Sequence, residues 1–182
     1  MEEEVFYNLY ESRLEQTLLQ LCKEEGQSDG TLLASDDIDR KWKELAPEYM
    51  ADAVGQVADY PDAAVSWACY IGMAVARWWH DDWKRHSADP YSKLLGPRGF
   101  DDMDDHIVQD ILGHKAGSSK AASIDRITRR LATAAIAAIR HEGIEPQSQR
   151  AFYVFAHTVK TMYRIGASIQ LHQMGYHWEK LQ

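Results

Sequence analysis

Three neighbouring side chains near the end of the longest apolar segment have the chemistry of a divalent-metal site. His80, Asp81 and Asp82 follow two tryptophans, and His80 continues a stripe that includes Cys69 and Met73. Imidazole and carboxylate groups bind divalent metals, and a buried carboxylate can act as a general base. Negative charge at the end of a helix also opposes the helix dipole. These three residues are therefore the first candidate metal site.

The same residues also fit a structural role on the surface. Arg77 and Arg85 each lie four residues from Asp81, a spacing that allows a ladder of ion pairs along one helix face. His80 and Asp81 resemble the His-Asp pair of HD-type phosphohydrolases, which implies a metal-dependent hydrolase acting on a phosphoester. That family needs an earlier metal-binding histidine, and no histidine precedes position 80. We favour the ion-pair ladder.

A second acidic group begins the next predicted helix, at about residues 101–114. Asp101, Asp102 and Asp105 have the spacing DDxxD, and His106 follows them. This spacing resembles the magnesium–diphosphate motif of prenyl synthases, and the resemblance implies Mg²⁺ shared with a substrate phosphate. The second acidic motif of that family is missing. Acidic residues are also common in first helical turns, where free N–H groups favour them, and we prefer this explanation.

A basic cluster is predicted on the last two helices, which should form an antiparallel hairpin over about residues 119–174. Residues at equal distances from the turn lie side by side in such a hairpin. Their forked, charge-assisted hydrogen bonds would hold a phosphate or a carboxylate. The alternative, which we favour, is that the hairpin packs against the acidic first part of the chain. The cluster consists of Arg126, Arg129, Arg130, His157, Lys160 and Arg164.

Charge is distributed unevenly along the chain. Residues 1–114 carry 10 Lys and Arg against 24 Asp and Glu, a net charge of −14, whereas residues 115–182 carry 10 against 4, a net charge of +6. The whole chain has a net charge of −8. Nucleic-acid binding needs a basic surface for phosphate contacts, so we expect no nucleic-acid partner.

Neither a membrane segment nor an export signal is predicted. The most apolar run, residues 63–79, contains Ser66 and Arg77 and is shorter than the roughly 20 residues that span a bilayer. The chain begins with Met-Glu-Glu-Glu, unlike the cationic start of a signal peptide. Cys22 and Cys69 lie in apolar contexts and should be reduced and buried. We therefore expect a cytoplasmic protein.

Hydrophobic spacing predicts the elements that must position these side chains. Apolar residues recur every three or four positions, which favours a single all-α domain over residues 1–182, a bundle of five or six helices. A helix over about 62–86 is apolar on nearly every face and should be central. Pro47 predicts a kink or break near Ala46 in the preceding helix. Phe152 is assigned to the core face of the last helix.

The function that these features favour is a non-enzymatic protein-interaction or assembly module. Abundant Trp and Tyr, complementary charge and the lack of a complete catalytic set support it. We expect a homo-oligomer or a protein partner. The alternative is a divalent-metal-dependent enzyme, or a binding protein for a phosphorylated small molecule. A divalent metal ion is the one cofactor that any of these residues suggest.

Overall fold

The structure is a computed structural model that describes residues 2–177, and these residues form helices joined by loops, without β-strands. The predicted all-α bundle is confirmed, and the predicted central helix over 62–86 is confirmed with an observed start at Pro61. A 3₁₀ turn, Tyr91–Leu94, follows that helix. The α-helices are α1 (Glu2–Glu24), α2 (Asp36–Val54), α3 (Pro61–His86), α4 (Met103–His106, continued by a π-helical turn, Ile107–Ile111), α5 (Ser119–His141) and α6 (Gln149–Gln173).

Serine caps define where three of the helices begin. The hydroxyl of Ser35 accepts the backbone N–H of Ile38 at 3.1 Å, and Ser118 and Ser148 cap α5 and α6 in the same way. Each cap satisfies a backbone donor that has no partner inside the helix. Pro61 begins α3, where a missing N–H has no cost. The helix boundaries are therefore set by local chemistry.

The centre of the molecule is a backbone-to-backbone contact between α3 and α6. A Cβ atom on Gly72 would lie 2.0 Å from the carbonyl oxygen of Tyr163, and one on Gly166 would lie 2.0 Å from that of Cys69. Only glycine fits at either position, since real Cβ atoms do not approach a carbonyl so closely. Most of α6 is as deeply buried as α3. The apolar α3 is therefore central, as predicted, but it shares the centre with α6.

Buried tyrosine hydroxyls fasten α2 to this central pair. The hydroxyl of Tyr49 donates to the carbonyl oxygen of Ala64 in α3 at 2.6 Å. The hydroxyl of Tyr163 in α6 donates to the carbonyl oxygen of Ile38 in α2, also at 2.6 Å. A buried hydroxyl without a partner would be costly, so these bonds fix the position of α2 against both central helices.

The predicted antiparallel hairpin is confirmed in α5 and α6. Lys120, near the start of α5, lies 3.4 Å from the side-chain oxygen of Gln173 at the end of α6. Helix α1 packs against both helices of the hairpin. Tyr10 of α1 shares a buried 2.6 Å hydrogen bond with Thr158 of α6. Burial raises the pKa of Tyr10 to about 12, so this hydroxyl stays protonated and able to donate.

The predicted break near Ala46 is wrong, because α2 continues through Pro47 as one helix. Proline removes the hydrogen bond to the carbonyl of Lys43. Both residues lie on the exposed face of α2, where solvent can satisfy that carbonyl, while Trp42 and Tyr49 hold the opposite face in the core. Tertiary packing therefore outweighs the local cost of the proline.

We predict that Gly72→Ala destabilises the protein by at least about 3 kcal/mol, or prevents folding, because the methyl group must push α3 and α6 apart. Urea denaturation followed by circular dichroism measures this. The matched control is Gly55→Ala. Gly55 has a helical φ of −66°, and a methyl group there would lie an ordinary 3.6 Å from the carbonyl oxygen of Asp52. This change should shift stability by less than about 0.5 kcal/mol. Equal effects of the two substitutions would contradict the account.

Candidate functional site

His80 and Asp81, from the first candidate metal site, have separate partners. His80 is exposed, and its Nδ1 lies 2.9 Å from the hydroxyl of Tyr176. Asp81 accepts hydrogen bonds from the guanidinium Nε of Arg77 at 3.0 and 3.1 Å. The Arg77–Asp81 step of the predicted ladder is confirmed, whereas no ion pair joins Asp81 to Arg85 within residues 2–177.

Asp82 interrupts α3. Its φ of −168° and ψ of 87° are not helical, and its carboxylate accepts the backbone N–H of Arg85 at 3.2 Å. A carboxylate that accepts an N–H three residues ahead acts as the cap of a new turn. Sequence periodicity missed this break, since the flanking residues keep helical spacing. The Asp82 carboxylate therefore caps a backbone N–H group.

The second acidic group organises the loop before α4. Both carboxylate oxygens of Asp102 lie 3.1 Å from the backbone nitrogen of Arg98, and its side chain is 12% exposed. His106 lies between the carboxylate of Asp110 and the carbonyl oxygen of Lys93, each at 2.9 Å from one ring nitrogen. Both ring nitrogens therefore face hydrogen-bond acceptors.

The seven acidic and histidine residues do not converge. Asp101 and Asp105 are exposed, and the other five have the partners described above. Across residues 2–177, no three His, Cys, Asp or Glu side chains are placed so that they could hold one metal ion. The hydrogen bonds described above stabilise loops, caps and helix surfaces.

The basic residues of α5 and α6 are distributed among several acidic partners. Arg129 pairs with Asp125 in its own helix, and Arg130 pairs with Glu25, which directly follows α1. No ion pair involves Arg126 in the part of the chain that the structure describes. Because α1 contacts both α5 and α6, carboxylates reach the basic helices.

The α6 cations face carboxylates of α1 and α2. His157 and Lys160 both contact Glu11, at 2.5 and 3.3 Å. Arg164 binds two carboxylates, one on α1 and one on α2, at 2.9 and 3.3 Å. The expectation that the basic hairpin packs against the acidic first part of the chain is confirmed by these pairs. Their charge is largely neutralised within the chain, which leaves little for an anionic ligand.

This contact lowers the pKa of Glu11. Half-burial favours the neutral carboxyl, but the hydrogen bond from His157 and the ammonium group of Lys160 outweigh burial and lower the pKa of Glu11. A carboxyl whose pKa is lower in the folded state stabilises that state above its unfolded pKa. The stabilisation is lost as the pH falls through the folded pKa.

An open apolar groove lies between α2 and α6, and sequence reasoning did not find it. We call it the α2–α6 groove; its volume is about 810 Å³. Val54 and Phe152 are each 47% exposed, so Phe152, assigned to the core from its spacing, lies at the surface instead. The side chains that matter for its chemistry are Trp42, Lys43, Met50, Val54, Phe152 and Lys160.

No carboxylate lines the α2–α6 groove among the described residues. Lys43 contributes a cation from the α2 wall, and Lys160 contributes one from the α6 wall. Trp42, 7% exposed, packs against Tyr163 with ring centroids 4.8 Å apart and against Tyr49 at 5.6 Å. The groove therefore has an anchored aromatic floor, apolar walls and a basic rim.

A comparison of the chain with protein-family models, with curated proteins and with solved structures found no match. Among the described residues, every helix is too short or too polar to cross a bilayer.

We predict that Glu11→Gln destabilises the protein by about 1 kcal/mol near pH 7, because it removes the charge that His157 and Lys160 contact. The difference between wild type and variant should shrink as the pH falls through the lowered pKa of Glu11, because the wild-type carboxylate then becomes protonated. Urea denaturation at several pH values measures both. Glu4→Gln, at an exposed position, is the control and should have little effect at any pH. A pH-independent loss in Glu11→Gln would contradict the ion-pair account.

We predict that Mg²⁺ or Mn²⁺ at about 1 mM leaves the melting temperature unchanged to within about 1 °C, since a shift requires a site in the native state. Differential scanning fluorimetry checks this, with KCl at matched ionic strength as the control. A saturable rise that is lost in Asp101→Asn or Asp105→Asn would restore the metal site suggested by the sequence.

Proposed function

We propose that this chain is a protein-interaction module and that its α2–α6 groove receives an amphipathic helix of a partner protein. The observation that carries the proposal is the exposure of two large apolar side chains, Val54 and Phe152, on facing walls of one groove. Exposed apolar side chains that line a concave site are typical of binding surfaces. An apolar groove between two helices is also the usual receptor for the apolar face of a third helix.

The charges at the groove define the chemistry of the partner. Lys43 and Lys160 lie on opposite walls, and no carboxylate lines the groove among residues 2–177. A partner helix with Asp and Glu on both sides of its apolar face would place negative charge near Lys43, which has no ion pair among residues 2–177, and near Lys160, which also contacts Glu11. Complementary charge of this kind orients a partner and speeds its association. The proposed partner is therefore an acidic amphipathic helix.

The floor of the groove supports binding without rearrangement. Trp42 rests on Tyr49 and Tyr163, whose hydroxyls are each held by a 2.6 Å hydrogen bond to a backbone carbonyl. A receptor that is already ordered loses little conformational entropy when it binds. Aromatic side chains in ordered pockets are frequent binding hot spots.

We also propose that the module acts in the cytoplasm. Cys22 and Cys69 are buried and carry free thiols. Burial raises the pKa of Cys22 to about 12 and that of Cys69 well above its ordinary value, so neither thiol forms a reactive thiolate. Buried free cysteines are ordinary in a reducing compartment.

The test uses two synthetic helical peptides with the same Leu face, one with Glu and one with Lys on both flanks. We expect the Glu peptide to bind with a Kd of about 1–100 µM and the Lys peptide at least about tenfold more weakly. Fluorescence anisotropy measures both. Val54→Glu and Phe152→Glu should each weaken binding of the Glu peptide at least about tenfold, because they place a charge in an apolar site.

Leu9→Glu is the matched control, because Leu9 is 58% exposed and lies on α1, outside the groove. It should leave peptide affinity unchanged. An equal loss in Leu9→Glu, or equal binding of the two peptides, would overturn the proposal. Sedimentation of the unliganded protein completes the test. A dimer that Phe152→Glu dissociates would assign the groove to a second copy instead of an acidic partner.

A further inference from the structure

A second cavity, of about 490 Å³, lies between the first half of α3 and α5. We call it the acid–aromatic pocket. It is separate from the α2–α6 groove and shares no lining residue with it. Its walls include the rings of Trp67 and Tyr70, which meet edge to face with centroids 5.6 Å apart. Trp67 is fixed by a 2.6 Å hydrogen bond from its indole N–H to the carbonyl oxygen of Phe100.

The charge of the acid–aromatic pocket is strongly unbalanced. Four carboxylates and one guanidinium line it, which leaves a formal charge of −3. The guanidinium of Arg129 is already bound to Asp125 at 2.8 Å. The remaining lining carboxylates, Asp59, Asp62 and Asp104, have no ion pair among the described residues. Asp59 and Asp62 are exposed and Asp104 is partly buried, so all three carboxylates can pair with a positive charge that a ligand brings.

Asp104 is the most informative of these carboxylates. Burial raises its pKa above the ordinary value, and the negative charges of Asp105 and Asp125 raise it further. The folded protein therefore holds a carboxyl group in a place that disfavours its ionised form. A cation bound beside Asp104 would reverse both effects, since it would replace the lost solvation and offset the repulsion.

Ser66 supplies an independent sign of a ligand. This residue lines the pocket, is 5% exposed and makes no hydrogen bond through its hydroxyl among the described residues. Every fully buried side-chain nitrogen or oxygen in that part of the chain has a hydrogen-bond partner, so the hydroxyl of Ser66 cannot be fully buried. The unpaired Ser66 oxygen therefore opens into the pocket, where it can accept a hydrogen bond from a ligand.

The spacing of the acidic groups decides which cation fits. No three carboxylates among residues 2–177 lie close enough together to hold one metal ion. Separate positive charges along one organic molecule match separate carboxylates better than a single ion does. Aromatic walls add favourable cation–π contacts for ammonium groups. Amine N–H groups can also donate the hydrogen bonds that Ser66 and the carboxylates accept.

We propose that the acid–aromatic pocket is a binding site for a small organic polycation of the linear polyamine class. Asp59, Asp62 and Asp104 accept hydrogen bonds from its ammonium groups, Ser66 accepts a further one, and Trp67 and Tyr70 contact its methylene segments. Three unpaired carboxylates match a trivalent amine. This site is independent of the proposed protein-interaction function.

Isothermal titration calorimetry with spermidine tests the proposal at low salt. We expect one site per chain, with putrescine at least about threefold weaker because it supplies two charges instead of three, and with binding that weakens as salt is added. Asp104→Asn should weaken spermidine binding at least about tenfold. Asp101→Asn is the matched control, since it makes the same charge change at an exposed residue outside the pocket. It should change affinity less than about twofold.

A second readout separates loss of the site from loss of the fold. Because the folded state raises the pKa of Asp104, its carboxylate destabilises the protein at neutral pH, and this cost disappears in acid. Asp104→Asn should therefore raise the melting temperature by about 1–3 °C near pH 7, but not near pH 3. Absence of spermidine binding by the wild type, or equal weakening by Asp101→Asn and Asp104→Asn, would overturn the proposal.

Discussion

Helices α3 and α6 cross with their backbones in direct contact, and the positions of the other helices follow from this crossing. Gly72 and Gly166 are each placed where a methyl group would collide with a carbonyl oxygen of the opposite helix. The close approach lets α2 lie against both helices through the hydroxyls of Tyr49 and Tyr163. It leaves the α2–α6 groove on one side of the pair and the acid–aromatic pocket beside α3 and α5. Both candidate sites therefore depend on two residues without side chains.

The cations of α6 are paired with carboxylates of α1 and α2 inside the molecule. The acidic α1 and α2 supply Glu11, Glu15 and Asp39 to the cations of α6. Two concave sites retain unpaired charge. In the described part of the chain, the α2–α6 groove has the unpaired cation of Lys43 and no lining carboxylate, and the acid–aromatic pocket has three unpaired carboxylates. Charge that the fold has not already paired is available to a partner at both sites.

The helices could be predicted from the sequence because hydrophobic period and caps act locally. The charge asymmetry likewise predicted that the basic hairpin would meet the acidic part. Spacing alone misassigned Phe152, since a helix that faces both a core and a groove has apolar residues on both faces. The metal candidates did not converge because their side chains have other partners. Asp82 and Asp102, for example, accept hydrogen bonds from backbone N–H groups in turns. Neither the groove nor the pocket could be predicted from the sequence, because both depend on which helices are neighbours.

The central claim is that α3 and α6 form one cooperative unit, and native-state hydrogen exchange tests it most directly. Amides near Gly72 in α3 and near Gly166 in α6 should exchange only through global unfolding, with one shared free energy equal to that from urea denaturation. Amides at the start of α1 should exchange through smaller openings. Exchange of the α3 amides while the α6 amides stay protected would show that the two helices open separately, and would contradict the account.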